Sequence, residues 1–150
     1  MLLLKYVFVI LHITTAAAWF GLALRLTGQA RNVAAAEPSA ATALAADGAH
    51  TVKLLGIFSV LTFVFAFVTF SVGIAGGASY GWPYHTALTL ILVLIGVTYG
   101  LIRPGWKALQ RGDAGAQKRV AMGTGIGHLL WLTLLILMYW TQLSVAIASL

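Results

Sequence analysis

Apolar residues run along this chain in four long blocks, parted by three stretches that are polar or rich in glycine. The blocks cover about Leu2–Leu26, Val52–Ala75, Pro83–Ile102 and Val120–Ala148. Each is near or above the roughly 20 residues that cross a bilayer at about 1.5 Å rise per residue. None alternates with the period of two that a barrel wall needs, and inside lipid a helix is the other way to satisfy backbone polar groups. The pattern predicts an all-α integral membrane protein: one membrane domain over residues 1–150, built as a four-transmembrane-helix bundle.

The first block has the order of a secretory signal, with Lys5 ahead of the apolar Tyr6–Thr15 and the small residues Ala16, Ala17 and Ala18. The apolar run continues through Trp19, Phe20, Leu22 and Leu24 without a break, so it reads as a span. Between the blocks, the Ala-rich stretch Thr27–His50 holds Arg31, Glu37, Pro38 and Asp47, and its middle suits a short surface helix. Gly76–Trp82 carries no charge, whereas Arg103–Arg119 carries Arg103, Lys107, Arg111, Lys118 and Arg119.

Composition agrees with the pattern. Hydrophobic residues make up 61% of the 150 and charged residues 8%, with a mean hydropathy of +0.96. A soluble domain carries about a quarter charged residues. A soluble globule, a disordered chain and a nucleic-acid partner are therefore excluded, and lipid is the expected surrounding. The absence of cysteine removes disulfides, thiolate metal sites and covalent haem attachment.

The net charge of +6 is a topology signal. With Arg25 and Lys53 counted at the membrane edge, the first and third connections hold eight of the nine basic residues. The positive-inside rule then sets the basic loops 27–51 and 103–119 in the cytoplasm and both termini outside, against Lys5 alone. A bacterial inner membrane is the expected location.

Against so little charge, the histidines stand out. His12 and His128 lie well inside spans, His85 at the outer start of the third and His50 at the inner start of the second. No Asp or Glu lies in any span, which argues against a proton or cation relay. Neutral imidazole is the commonest metal ligand and holds haem iron between helices.

The faces around these residues suit a flat ring. His12, Thr15, Ala16, Trp19 and Ala23 share one face of the first helix. Thr124, Gly125, His128, Trp131 and Leu135 share one on the fourth, and His85, Thr89, Leu92 and Gly96 one on the third. The second block has a seam of small residues, Gly56, Ser59, Thr62, Ala66, Thr69, Gly73 and Gly76. Trp19 is a candidate ring contact, and Arg25 and Arg103 are candidates for the propionates. The plainer readings are interhelical hydrogen bonds for the histidines and helix or homodimer packing for the seam, Gly96-x-x-x-Gly100 and Gly123-x-x-x-Gly127.

His12 lies about 10 Å in from one edge of the bilayer and His128 about 13 Å in from the other. Two arrangements follow. In one, His12 and His85 hold an outer haem while His128, with or without His50, holds an inner one. In the other, His12 and His128 clamp a single haem.

Leu11-His12-Ile13 followed by Ala18-Trp19-Phe20-Gly21 resembles the first helix of the HemJ-type protoporphyrinogen oxidases and of the CopD-like copper-resistance membrane proteins. Gly81-Trp82-Pro83-Tyr84-His85 is similar to the HemJ third helix, where a Trp precedes a Lys. His85 stands near that Lys position, which weakens the oxidase expectation and suits a second iron ligand. The resemblance implies a bundle that binds haem b, with His12 as the matching ligand. Copper handling fits less well, because cysteine is absent and Met1, Met122 and Met138 are dispersed.

The leading expectation is a b-type cytochrome with one or two His-ligated haems, exchanging electrons with a quinone or a redox partner protein. The alternatives are a HemJ-like porphyrinogen oxidase and a non-redox accessory subunit. A homodimer or a larger membrane complex is expected in each case.

Overall fold

The computed structural model describes residues 2–148, all helix and connecting turns with no strand among them. Four helical rods are long and apolar enough to cross a membrane, as the apolar blocks predict. Helix α1 is Leu2–Ala35 and α2 is Pro38–Ala75. Helix α3, Trp82–Val97, continues through a π-helical turn, Thr98–Ile102, into α4, Arg103–Gln110. A 3₁₀ turn at Ala114–Ala116 leads into α5, Gln117–Met138, and α6 is Trp140–Ala148.

The helices outrun the apolar blocks. The stretch expected as a loop over 27–51 is the end of α1 and the start of α2, joined through Ala36 and Glu37 alone. Alanine is the strongest helix former, and Pro38 sits in the first turn of α2, where its missing N–H leaves nothing unpaired. The packing seam also continues: Leu26, Ala30 and Val33 on α1 are buried, as are Ala45, Val52 and Leu55 on α2. Gln29 donates to Asp47 at 2.9 Å, and Arg25 pairs with Asp47 at 3.7 Å. At 34 and 38 residues, α1 and α2 are about 51 and 57 Å long against a hydrocarbon core of about 30 Å. The hairpin therefore extends well past an apolar layer at its basic end.

Most of the stretch expected as a loop over 103–119 is helical as well. Pro104 lacks an N–H, and its ring would crowd the carbonyl four residues back. The π-helical turn just before it widens the coil there, and the rod runs on with Arg103 still helical at φ −63° and ψ −46°. Trp106 on α4 is buried and donates its indole N–H to the Ala45 carbonyl at 3.1 Å. Its ring lies flush on Gly48, where a Cβ has no room.

The fourth block also departs from one helix over 120–148. The chain breaks at Tyr139, at φ −102° and ψ 12°, between α5 and α6.

Two ends result. The start of α1, the 76–81 turn and the α5–α6 junction share a charge-poor end, where the Lys5 ammonium lies 5.8 Å from the centre of the Tyr80 ring. The α1–α2 turn, α4 and the 3₁₀ turn make the basic end. Most of the buried core is nearer the basic end: Trp19, Leu26, Leu55, Leu94, Ile102, Trp106 and Val120 form one cluster. Nearer the charge-poor end the core thins to Ala87, Ile91, Leu134 and Leu137.

Candidate functional site

A cavity of about 520 Å³ occupies the charge-poor half of the bundle. Its size falls within the few hundred to about 1,000 Å³ typical of small-molecule and cofactor sites. Helix α1 supplies Lys5, His12, Ala16 and Trp19 to its walls. Thr62, Ala66, Thr69 and Phe70 come from α2, Tyr84, Ala87, Ile91 and Leu94 from α3, and Trp131 and Leu134 from α5. The 4 and 3 spacing of His12, Ala16 and Trp19 turns all three to one side of α1. Alanine at 16 leaves open space between a ligating type of side chain and a flat aromatic one.

His12 is buried, and its Nδ1 lies 3.0 Å from the backbone carbonyl of Thr62. A carbonyl only accepts, so Nδ1 carries the proton and donates. Nε2 is then the nitrogen with the free lone pair, on a ring that forms part of the cavity wall. An N–H donated to a backbone carbonyl is the usual way a ligating imidazole is held in one tautomer and orientation. Neighbouring Thr15 returns its hydroxyl to its own helix, donating to the Leu11 and His12 carbonyls, and makes no polar claim on the space.

The aromatic walls are fixed by close packing. Trp131 donates its indole N–H to the Ala16 carbonyl at 3.1 Å, tying α5 to α1 beside His12. Trp19 is 1% exposed, and its ring fills the place of a side chain at Gly127 on α5. Two wall residues keep a buried polar atom with no protein partner, the Trp19 indole N–H and the Thr69 hydroxyl.

The other sequence candidates lie elsewhere. The His85 ring is exposed and meets Phe70 edge-on at 5.1 Å between centroids, outside the cavity wall. His128 is half-buried among Phe20 and Trp19, at 4.9 and 6.1 Å between ring centroids, and its buried Nε2 has no partner. His50 is exposed on α2 toward the basic end. Arg25 is exposed, and 13 residues of α1 set it about 20 Å from His12 along the helix. Arg103 stands on the basic end over the Tyr99 ring. Of the ligand, ring-contact and propionate candidates, His12 and Trp19 alone are wall residues of this cavity, joined there by Ala16, Trp131 and Leu135 of their helix faces and by Thr62, Ala66 and Thr69 of the small-residue seam.

The cation in the cavity wall is instead Lys5, with Tyr80 and Tyr84 nearby. Sequence reasoning treated Lys5 only as an exception to the charge asymmetry. Its isolation at that end, seven residues before His12 on the same helix, was the available signal.

Among the described residues, no group of three or more His, Cys, Asp or Glu could hold a metal ion. A metal bound by three or more such side chains thus finds no ligand set among these residues, whereas haem iron can be held by one imidazole from the protein. Haem b asks for a free imidazole nitrogen, an apolar slot with flat walls, and polar or cationic groups at one edge. His12, the Trp19–Ala16–Ile91 walls, and Lys5 with the tyrosines suit those needs.

Comparison with protein-family models, characterised proteins and solved structures finds no match to this chain.

Proposed function

We propose that the chain is a b-type haem protein of the membrane: one haem would bind in this cavity, its iron held by His12 Nε2, and it would pass single electrons. The observation that carries this reading is the His12 Nδ1–Thr62 carbonyl hydrogen bond. It fixes the tautomer and leaves a lone pair on a cavity-lining ring. Iron in the bound group supplies the one-electron chemistry. The protein's own residues hold the imidazole in place, exclude water with Trp19, Ile91, Leu94 and Leu134, and offer Lys5 and Tyr80 at the polar edge. A quinone or another membrane donor is the electron source, and a redox partner protein is the acceptor.

A second reading rests on a specific feature. His12 is the one histidine in the cavity wall, so the protein offers a single imidazole there. A haem held by one histidine would keep a coordination position that the protein does not fill, which would suit oxidation of a reductant such as a porphyrinogen, in line with the resemblance to the HemJ-type oxidases.

We take the membrane to be a bacterial inner membrane, with the basic end on the cytoplasmic side by the positive-inside rule and the cavity toward the outer face.

The deciding measurement is the visible spectrum of the detergent-purified protein, oxidised and reduced, with the haem-to-protein ratio. One haem per chain, lost in His12→Ala, supports the proposal. A colourless protein that takes up no haem on supplementation overturns both readings and leaves His12 as an interhelical hydrogen bonder. Oxidation of an added porphyrinogen by the haem-loaded protein favours the oxidase reading over electron transfer.

A further inference from the structure

The basic end carries a second concavity, of about 470 Å³, lined by Tyr99, Arg103, Pro104, Lys107 and Arg111. We infer that it is a binding site for the headgroup of an acidic phospholipid, which the haem proposal neither requires nor explains.

The sequence builds the site simply. Residues 103, 107 and 111 are four apart, so Arg103 and Lys107 share one face of α4 and Arg111 follows at its C-terminal cap. All three are exposed. The Arg103 guanidinium lies over the Tyr99 ring, 5.5 Å from its centre, which anchors the membrane-side end of the stripe. Like charges at this spacing repel one another, so the stripe calls for a counter-charge. The described residues supply none: the ion pair among them joins Arg25 to Asp47, and no carboxylate reaches Arg103, Lys107 or Arg111.

A cation near the last carbonyls of a helix has an ordinary role in offsetting the helix dipole. Lys107 lies in the last turn of α4, and that role covers it. It does not cover Arg103, which lies within the continuous α3–α4 rod, two turns before its last carbonyls.

Position distinguishes a lipid from a free anion. Arg103 is the first charged residue after the apolar run of α3, so the stripe starts where hydrocarbon gives way to headgroups. Tyr99 is of the aromatic type that settles at that boundary. Above it, α3 and the π-helical turn present a shallow outward face: Leu92 is exposed, and Gly96 on α3 and Gly100 in the turn have open space where a side chain would project. That face offers an acyl chain a bed directly above a cationic headgroup pocket. A soluble phosphate has no use for such a bed. Basic pockets at helix ends on the cytoplasmic side are a recurrent site for acidic headgroups.

The test is native mass spectrometry of the detergent-purified full chain, with phosphatidylglycerol or phosphatidylcholine added at equal concentration. The expected result is retention of phosphatidylglycerol at least tenfold above phosphatidylcholine. That preference should fall roughly tenfold or more in Arg103→Gln/Lys107→Gln/Arg111→Gln. The control Lys118→Gln/Arg119→Gln removes two charges from the same end and keeps the preference. Each single substitution is read alongside, so that the result stands on folded protein, and each lowers retention severalfold. Equal retention of the two lipids overturns the proposal. So does an equal loss in the control, which would mean net charge alone. Displacement of the lipid by millimolar inorganic phosphate overturns it as well, in favour of a soluble-anion site.

Discussion

His12 of α1 and Thr62 of α2 are joined through the imidazole Nδ1 and the Thr62 backbone carbonyl, 3.0 Å apart, across the bundle. The partner is main chain, so no substitution at position 62 removes the acceptor. The bond can be tested from the histidine side only. His12→Ala is expected to abolish haem absorbance and to lower stability by about 0.5–1.5 kcal/mol, the net worth of one such bond. His85→Ala and His128→Ala are expected to keep the absorbance, because neither ring is part of the cavity wall. Loss of one spectral component in the His85 or His128 variant would restore a paired-histidine arrangement.

Gly127 and Gly125 make a matched pair of probes two residues apart on α5. A methyl at Gly127 meets the buried Trp19 ring, whereas one at Gly125 meets nothing within 4 Å. Gly127→Ala is expected to destabilise the bundle by about 1–3 kcal/mol through overpacking and to shift the cavity wall that Trp19 forms. Gly125→Ala leaves both unchanged, and the gain in helix propensity makes it neutral or slightly stabilising. Thermal unfolding in detergent separates the two, and equal melting temperatures would show that the α1–α5 contact is looser than described.

What the sequence made legible, and what it hid, divides along physical lines. The four apolar blocks announce four spans because burying or solvating a backbone in lipid leaves a helix little competition. The ends of the helices were hidden, since the lipid boundary is not a helix boundary. Ala34, Ala35 and Ala40 continue a coil in water as readily as in hydrocarbon, and the seam through Ala30, Val33 and Ala45 keeps packing there. His12 and Trp19 were legible as one face of one helix. The placing of the other histidines outside this cavity was hidden for a different reason. A helical wheel says which residues share a face, but not which neighbour covers it, and His128 faces Phe20 where His12 faces open space. Lys5 was overlooked because a charge at a span's edge is ordinarily a topology mark.

Trp106 ties α4 to α2, and two substitutions separate its two contributions. Trp106→Phe keeps most of the ring against Gly48 and removes the indole bond to the Ala45 carbonyl, for an expected loss of about 1 kcal/mol. Trp106→Ala empties a fully buried site, with an expected loss of about 3–5 kcal/mol. The haem-to-protein ratio should hold in the Phe variant, since Trp106 lies at the far end of the bundle from the cavity. Equal destabilisation by both substitutions would assign the tie to the hydrogen bond alone.

The orientation of the bundle is testable because the chain has no cysteine, so each introduced thiol reports alone. Ser79 is exposed in the charge-poor turn, and Gln110 is exposed at the end of α4. Eight of nine basic residues accompany Gln110's end, with Lys5 at the other. In intact bacterial cells, a membrane-impermeant thiol reagent is expected to label Ser79→Cys and to reach Gln110→Cys only after permeabilisation. The reverse pattern would turn the basic end outward and carry the cavity to the cytoplasmic face, where a soluble cytoplasmic reductant, rather than one from the outer side, would reach Lys5 and Tyr80 first. Labelling of both sites in intact cells would mean a mixed topology, in which the charge asymmetry does not decide orientation.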